Sequence, residues 1–172
     1  MSQKAALRRQ LTIPANRRRW LLGLYALALT TQPLVGALGY EGALALTTPI
    51  SLAALAIGVD VVRDLRAAHA ADPVALSLKT PGERLRQLAL LGLGELALLL
   101  GLVLGVFLVG NFWQPTCDLP GGLLWFLVLP VASGLCGLVA GLWGGALATA
   151  RGGQLLLASV PLIFSLALGL WR

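Results

Sequence analysis

The chain has 172 residues, of which 58 % are apolar and 12 % are charged, and its formal net charge is +6. With a positive mean hydropathy, this composition is too apolar for an ordinary soluble domain and indicates an integral membrane protein. Basic residues beside apolar segments hold a membrane orientation more often than they bind nucleic acid, so we expect no nucleic-acid partner. The predicted fold class is all-α: a basic segment at 1–19, cytoplasmic or interfacial, and one polytopic transmembrane helical bundle over 20–172.

Five apolar stretches approach the length of about 20 residues that a membrane-crossing helix needs. The first, 20–39, has full spanning length and lacks a small-residue cleavage site, so we expect it to be retained rather than cleaved as a signal peptide. Pro33, Pro49 and several glycines surround the turn at Tyr40-Glu41. The first two spans are therefore either a tight hairpin or a re-entrant element. The remaining predicted spans are 43–62, 88–110, 123–150 and 155–171.

All the basic residues except Arg151 and Arg172 fall into two blocks, one at the N-terminus and one in the connection 63–87. Arg151 is also predicted to be cytoplasmic, and only Arg172 is predicted to lie outside. Because Lys and Arg in short loops stay on the cytoplasmic side during insertion, both blocks are predicted to be cytoplasmic. The loops at Glu41 and 111–122 have no basic residue and are predicted to face outward. This places the N-terminus in the cytoplasm and the C-terminus in the periplasm of a bacterial inner membrane. Residues expected to fix the topology and meet anionic lipid headgroups are Arg17, Arg18, Arg19, Arg63, Arg66, Lys79, Arg84 and Arg86.

Local signals predict where three helices begin or end. Thr80 and Glu83 have the spacing of a capping box, with a proline between them at the first helical position, so the third helix begins there. The Asp72-Pro73 pair predicts that the second helix runs past the membrane and stops near Ala71. Asp118 is a plausible N-cap for the fourth helix.

Glycines four residues apart predict close helix packing, because small residues let two backbones approach in a lipid environment. We expect the two glycine faces to meet each other or a partner protein. Packing within the chain is favoured, and a subunit interface is the alternative. The residues concerned are Gly101 and Gly105 on the third span and Gly137, Gly141 and Gly145 on the fourth.

Two carboxylates, Glu95 and Asp60, are the intramembrane polar candidates. An ionised carboxylate about two turns inside a span is costly unless it is paired, hydrated or protonated. One hypothesis is a proton or cation relay through both residues. The favoured alternative is a protonated Glu95 that bonds Ser51, Thr47 or helix backbone, or that contacts another subunit.

Enzyme signatures are not apparent. The chain has one histidine, His69, so a metal site with several His or Cys ligands is not expected, and we predict no catalytic residue, metal or cofactor. Cys117 and Cys136 lie too far apart along the predicted fourth helix and its loop for a disulfide. Ser133 is expected to pack or to bond backbone within its own helix.

The run from Thr116 through Cys117-Asp118 to Phe126, continuing past Pro130 and Ser133 to Gly141, is similar to a segment of multispanning membrane proteins of myxobacteria and their relatives. The Gly39-Tyr40-Glu41 turn and the terminal Leu170-Trp171-Arg172 also resemble that family. In those proteins the membrane region leads into a periplasmic domain that resembles zinc metallopeptidases. The resemblance implies an inner-membrane module whose final helix exits outward. No catalytic residue of such a domain is carried over to this chain.

Two functions fit these observations. The first is a non-catalytic inner-membrane subunit or anchor that assembles with membrane or cytoplasmic proteins through its glycine faces and its basic cytoplasmic loop. The alternative is the membrane component of a transporter or permease, with Glu95 and Asp60 lining a polar path and the 63–87 connection touching a cytoplasmic motor. The substrate and the identity of any partner are not encoded in a readable motif.

Overall fold

The computed structural model describes residues 17, 19–32, 39–71, 80–113, 115, 118–148, 150, 152–154, 156 and 159–160. Of these described residues 91 % are helical and none is in a strand, so the predicted all-α class is confirmed. The helices are α1 (Arg19–Thr30), α2 (Tyr40–Ala71), α3 (Pro81–Gly110), α4 (Leu119–Phe126) and α5 (Ala132–Leu147). A short π-helical segment, Leu127–Val131, joins α4 to α5.

Three helices are long and apolar enough to cross a membrane. Their apolar ranges are Tyr40–Ala68, Gly82–Gly110 and Leu119–Leu147, the last of which contains α4, the π segment and α5 as one helix. Each has 29 residues and rises about 44 Å, more than the hydrocarbon core of about 30 Å. Helices α2 and α3 are longer than the predicted spans 43–62 and 88–110. The C-terminal turns of α2 and the N-terminal turns of α3 contain polar residues, which the predicted spans left out.

Helix ends follow the local signals in the sequence. The backbone N–H of Thr80 donates to Glu83 Oε2 at 3.0 Å, and the N–H of Glu83 donates to Thr80 Oγ1 at 3.4 Å, which is the predicted capping box. The N–H of Gly121 donates to Asp118 Oδ1 at 2.9 Å, so Asp118 caps α4. The described part of α2 extends to Ala71, and the predicted stop at the following Asp-Pro pair lies outside the described residues. The predicted capping box and the Asp118 cap are confirmed.

Helix α1 is shorter than the predicted span 20–39. It ends at Thr30 and closes in a turn in which the Gln32 N–H donates to the Leu29 carbonyl at 3.0 Å. The range Arg19–Thr30 rises about 18 Å, less than the thickness of a hydrocarbon core. Arg17 is also helical, and residues 1–16 and 18 lie outside the described part. Residues 33–38 lie outside the described part, so the choice between a hairpin and a re-entrant element stays a prediction. The predicted span 155–171 also lies outside it, apart from residues 156, 159 and 160.

Two prolines lie inside the described helices, and a side chain donates a hydrogen bond to the backbone near each of them. Pro49 has no N–H, so it leaves the Ala45 carbonyl of α2 without its helical donor. The hydroxyl of Tyr25 donates to that carbonyl at 3.4 Å. Pro130 lies in the π segment, and the Ser133 hydroxyl one turn later bonds the Pro130 carbonyl at 3.0 Å. The prediction that Ser133 bonds backbone within its own helix is confirmed.

The chain divides into two compact units. The first comprises Met1–Ile50 and Leu98–Ser133, and the second comprises Ser51–Ala97 and Gly134–Arg172. In the first unit, the rings of Tyr40 and Trp125 meet edge to face with centroids 5.1 Å apart. In the second unit, Leu55 and Val59 of α2 form a buried apolar cluster.

Candidate functional site

In the second unit, the glycine row on α5 packs directly on the backbone of α2. A Cβ atom added at Gly137 would meet the carbonyl oxygen of Ser51, and one added at Gly141 would meet that of Leu55. Because residue numbers rise together on both sides of this contact, the two helices run parallel. No side chain fits between them, so the close approach requires glycine at both positions.

Two further glycines complete this interface. A Cβ at Gly145 would lie 3.0 Å from the Cβ of Val62, and a Cβ at Gly58 of α2 would lie 2.5 Å from the Leu138 carbonyl oxygen. Each helix therefore presents glycine to the backbone or the branched side chains of the other. Gly58 was not singled out from the sequence. Its position inside a long helix, where glycine costs about 1 kcal/mol relative to alanine, was the available signal of a close contact.

Side chains cap the C-terminal end of α5, where helix carbonyls have no N–H partner of their own. The guanidinium of Arg66 donates to the carbonyls of Ala148 and Ala146, both at 2.7 Å. The side-chain amide of Gln154, which is 1 % exposed, donates to the Ala148 carbonyl at 2.8 Å. Arg66 places a positive charge at the negative end of the helix dipole. This role as a helix cap was not predicted.

In the first unit, α1 and α3 lie side by side and leave a groove between them. The Gly23 position of α1 faces Leu102 of α3, and Thr30 approaches Gly110. Two adjoining cavities of about 360 and 460 Å³ form the groove and share Leu27, Leu102 and Val106. Its other lining residues are Arg19, Trp20, Gly23, Leu24, Thr30, Gly101, Gly105, Val109, Gly110 and Trp113.

The glycine row on α3 differs from that on α5 in what it faces. Among the described residues, no atom lies within 4 Å of a Cβ added at Gly101 or Gly105, and both glycines line the groove instead. The groove has the Arg19 side chain at one end and Trp113 at the other. Four-residue glycine spacing therefore marks an occupied helix contact on α5 and an open surface on α3.

The two intramembrane carboxylates lie on different helices of the second unit. Asp60 on α2 and Glu95 on α3 are both half-buried, and each takes part in a hydrogen-bonding or electrostatic interaction. Ser51, a predicted alternative partner of Glu95, is buried at 6 % exposure. Neither carboxylate lines the groove between α1 and α3. Their proposed relay stays a prediction.

The predicted headgroup residues are placed as follows. Arg17, Arg63 and Arg86 are exposed, as is Arg66, while Arg19 and Arg84 are half-buried. Arg18, Lys79, Cys117 and the side chain of His69 lie outside the described residues. Cys136 is a free, exposed thiol. Among the residues that the structure describes, no three His, Cys, Asp or Glu side chains come together as a metal site.

Comparison of the chain with protein-family models, with curated proteins and with solved structures finds no match. The resemblance to multispanning proteins of myxobacteria therefore stays a prediction.

Proposed function

We propose that this chain is a non-catalytic integral subunit or anchor of a bacterial inner membrane, which assembles with other proteins through a helix face that the described part of the chain leaves open. The observation that carries the proposal is the contrast between its glycine rows. The row on α5 contacts the backbone of α2, whereas Cβ atoms added at Gly101 and Gly105 on α3 would meet no atom of the described residues within 4 Å. Since lipid tails compete equally for apolar side chains, glycine rows favour contact with another helix.

The distribution of burial agrees with this role. Within the most apolar window of each candidate span, 61 % of the α2 residues are buried inside the chain, against 28 % for α3 and 33 % for the α4–α5 helix. Helix α2 thus supplies the internal packing. The apolar surface of α3 is available to lipid and to partner helices.

The proposed topology has five membrane spans, with the N-terminus in the cytoplasm and the C-terminus in the periplasm. Its support is the clustering of basic residues at 1–19 and 63–87, since this threading keeps both blocks on the cytoplasmic side, as Lys and Arg in short loops prefer. The parallel pairing of α2 with α5 agrees with this threading, because α3 lies between them in the chain and returns it across the bilayer. In this topology the basic connection 63–87 forms a cytoplasmic surface for anionic headgroups and for protein partners.

Reporter insertion tests the topology. Green fluorescent protein inserted between Ala71 and Thr80 is expected to fluoresce, because that connection is proposed to be cytoplasmic. Alkaline phosphatase fused after Trp113 is expected to be active, because that loop is proposed to be periplasmic. Exchanging the two reporters provides the control, since each should then be silent. Phosphatase activity in the 72–79 connection would show that the threading is reversed.

Affinity purification tests the proposed function. The full chain, extracted from its own membranes in a mild detergent, is expected to elute with a protein in fixed stoichiometry that mass spectrometry identifies. No solute flux is expected when that complex is reconstituted into vesicles. A chain that elutes alone, from membranes in which it is correctly inserted, would contradict the proposal.

A transporter component is the second candidate, and the half-buried carboxylates of Asp60 and Glu95 favour it. Carboxylates within spans are typical of ion and proton paths. This function predicts a co-eluting ATPase or a proton-dependent flux. The Glu95→Gln variant would reduce that flux while membrane insertion and assembly remain. Unchanged flux in this variant would exclude a role for Glu95 in transport.

A further inference from the structure

The basic end of α1 lies beside the middle of α3. We propose that the chain thins the lipid bilayer beside α1, so that phospholipid headgroups of one leaflet meet Arg17 and Trp20 at the level of Leu98 on α3. This inference goes beyond the proposed function, because it needs no protein partner and holds for either membrane orientation. It rests on the contacts between α1 and α3 and on the sequences of these two helices.

Two contacts in the first unit set the level of α1 against α3. A Cβ atom added at Gly23 would lie 3.5 Å from Cδ2 of Leu102, and one added at Gly110 would lie 2.7 Å from Cγ2 of Thr30. The step from 23 to 30 on α1 therefore matches the step from 102 to 110 on α3. The two helices run parallel and nearly in register, so the level of any residue on α1 can be counted along α3.

Counting back from these contacts places the basic end of α1. Arg19 lies four residues before the first contact, which makes it level with about Leu98. The cavity that Arg19 and Trp20 line agrees with this level, because the α3 residues in its lining are Leu102 and Val106. The arginines at 17–19 therefore begin where α3 is already far from its own N-terminal end.

Helix α3 continues well beyond this level toward its N-terminus. It begins at Pro81, and its residues 88–97 are apolar except for Glu95. Leu90 is 60 % exposed, and exposed leucine is favourable beside lipid and costly in water. Hydrocarbon is therefore expected to reach about Leu90, which lies roughly 12 Å along α3 beyond the level of Arg19.

The sequence at α1 requires a polar surrounding at its own level. Residues 1–19 contain six basic side chains and no acidic one, and such a segment is costly inside hydrocarbon. Arg17 is exposed and Trp20 is 69 % exposed, and both residue types are typical of the headgroup level of a bilayer. Snorkelling of the arginine side chains shortens the step but does not move the backbone that carries them.

Neighbouring helices of one chain thus need hydrocarbon boundaries at different heights. A bilayer accommodates a short apolar helix by thinning around it, and α1 rises about 18 Å against a core of about 30 Å. Phospholipid is the occupant that the observations favour. It supplies both the phosphate that arginine binds well and the acyl chains that the exposed leucines of α3 need.

Nitroxide labels along α1 test the inference on the full chain in vesicles of phosphatidylcholine and phosphatidylglycerol. Cys117 and Cys136 are first replaced with alanine, and single cysteines then replace Trp20, Leu24 or Leu27, which are all exposed. A water-soluble nickel chelate is expected to reach the label at position 20 most and the label at position 24 least. A bilayer of uniform thickness would make position 20 the least accessible of the three, and this order would overturn the inference.

Quenchers carried by lipids identify what surrounds position 20. A fluorophore on the cysteine there is expected to be quenched more by a nitroxide on the phospholipid headgroup than by one in the middle of an acyl chain. Stronger quenching from the middle of the chain would overturn the inference. Access for the chelate without quenching by either lipid would also overturn it, because a water-filled crevice of the protein would then surround the label.

A lengthened α1 provides the matched control. Eight leucine and alanine residues inserted between Arg19 and Trp20 move the arginines about 12 Å along the helix and leave the contacts of Gly23 and Thr30 in place. Position 20 should then become the least accessible of the three labelled positions. Unchanged access at position 20 would show that the arginines do not hold headgroups at this level, and the inference would be wrong.

Photo-crosslinking in native membranes separates lipid from protein. A crosslinker at position 20 is expected to capture phospholipid. Capture of protein alone would show that a partner, and not a thinned bilayer, surrounds the basic end of α1. The vesicle measurements use the purified chain, so their outcome does not depend on whether the chain elutes with a partner, and failure of this inference is distinguishable from failure of the proposed function.

Discussion

Replacing Gly141 with alanine is expected to lower the free energy of unfolding by about 1–3 kcal/mol, the usual cost of forcing an extra methyl group into a packed interface. The new methyl group would meet the Leu55 carbonyl on α2, and a backbone atom cannot turn aside as a flexible side chain can. Alanine favours helix over glycine by about 1 kcal/mol, so the steric cost must exceed that gain before a loss is seen. Reversible unfolding in mixed detergent micelles, followed by tryptophan fluorescence, measures the change.

Gly94→Ala is the matched control for this substitution. Gly94 is also inside a membrane-length helix, but a Cβ there would have no atom within 4 Å. We expect this variant to be as stable as the unmodified chain or slightly more stable, by up to about 1 kcal/mol. If Gly141→Ala and Gly94→Ala unfold at the same fraction of denaturing detergent in the mixed micelles, α2 and α5 do not pack through Gly141.

Arg66→Ala is expected to lower the free energy of unfolding by roughly 1–2 kcal/mol, because two charge-assisted hydrogen bonds to the end of α5 are lost. This expected loss is toward the lower end of the range for charge-assisted hydrogen bonds. Arg66 is exposed, so water can replace part of each hydrogen bond when the side chain is removed. The last turn of α5 should also open, which amide hydrogen exchange at Ala148 reports directly.

Arg63→Ala provides the control for charge, because it removes the same charge from the same helix at an exposed position. It should affect membrane orientation about as much as Arg66→Ala and stability much less. Arg66→Lys should fall between the two, since an ammonium is a point charge and cannot reproduce the fork of a guanidinium. Equal stability losses for Arg63→Ala and Arg66→Ala would mean that the carbonyl contacts contribute nothing.

The parts of the fold that follow from neighbouring residues could be predicted from the sequence. The capping box of Thr80 and Glu83 and the cap at Asp118 each depend on residues within about one turn. The membrane-length helices follow from apolar composition alone. For the same reason the all-helical class was accessible without knowledge of any long-range contact.

Features that depend on a distant partner could not be predicted in this way. The four-residue spacing identified Gly137 and Gly141 as a contact face, but it does not specify α2 as the partner helix. The same spacing on α3 does not indicate that the described residues leave Gly101 and Gly105 uncovered. The carbonyls that Arg66 caps are 80 and 82 residues away along the chain. Gly58 is a single glycine on the α2 side of the α2–α5 interface, with no second glycine four residues away. A search for glycines at helical spacing therefore overlooks it.

The pairing of α2 with α5 also bears on how the protein is made. Thr47 accepts its hydrogen bond from Ser133, a residue 86 positions later. At a bacterial or eukaryotic translation rate of about 5–20 residues per second, α2 enters the bilayer roughly 4–17 s before that partner leaves the ribosome. During this interval the face of α2 that later receives the glycine row of α5 has no permanent cover. Insertion factors or transient lipid contacts must shield the nascent helix, and slowing synthesis between α3 and α4 should increase its degradation.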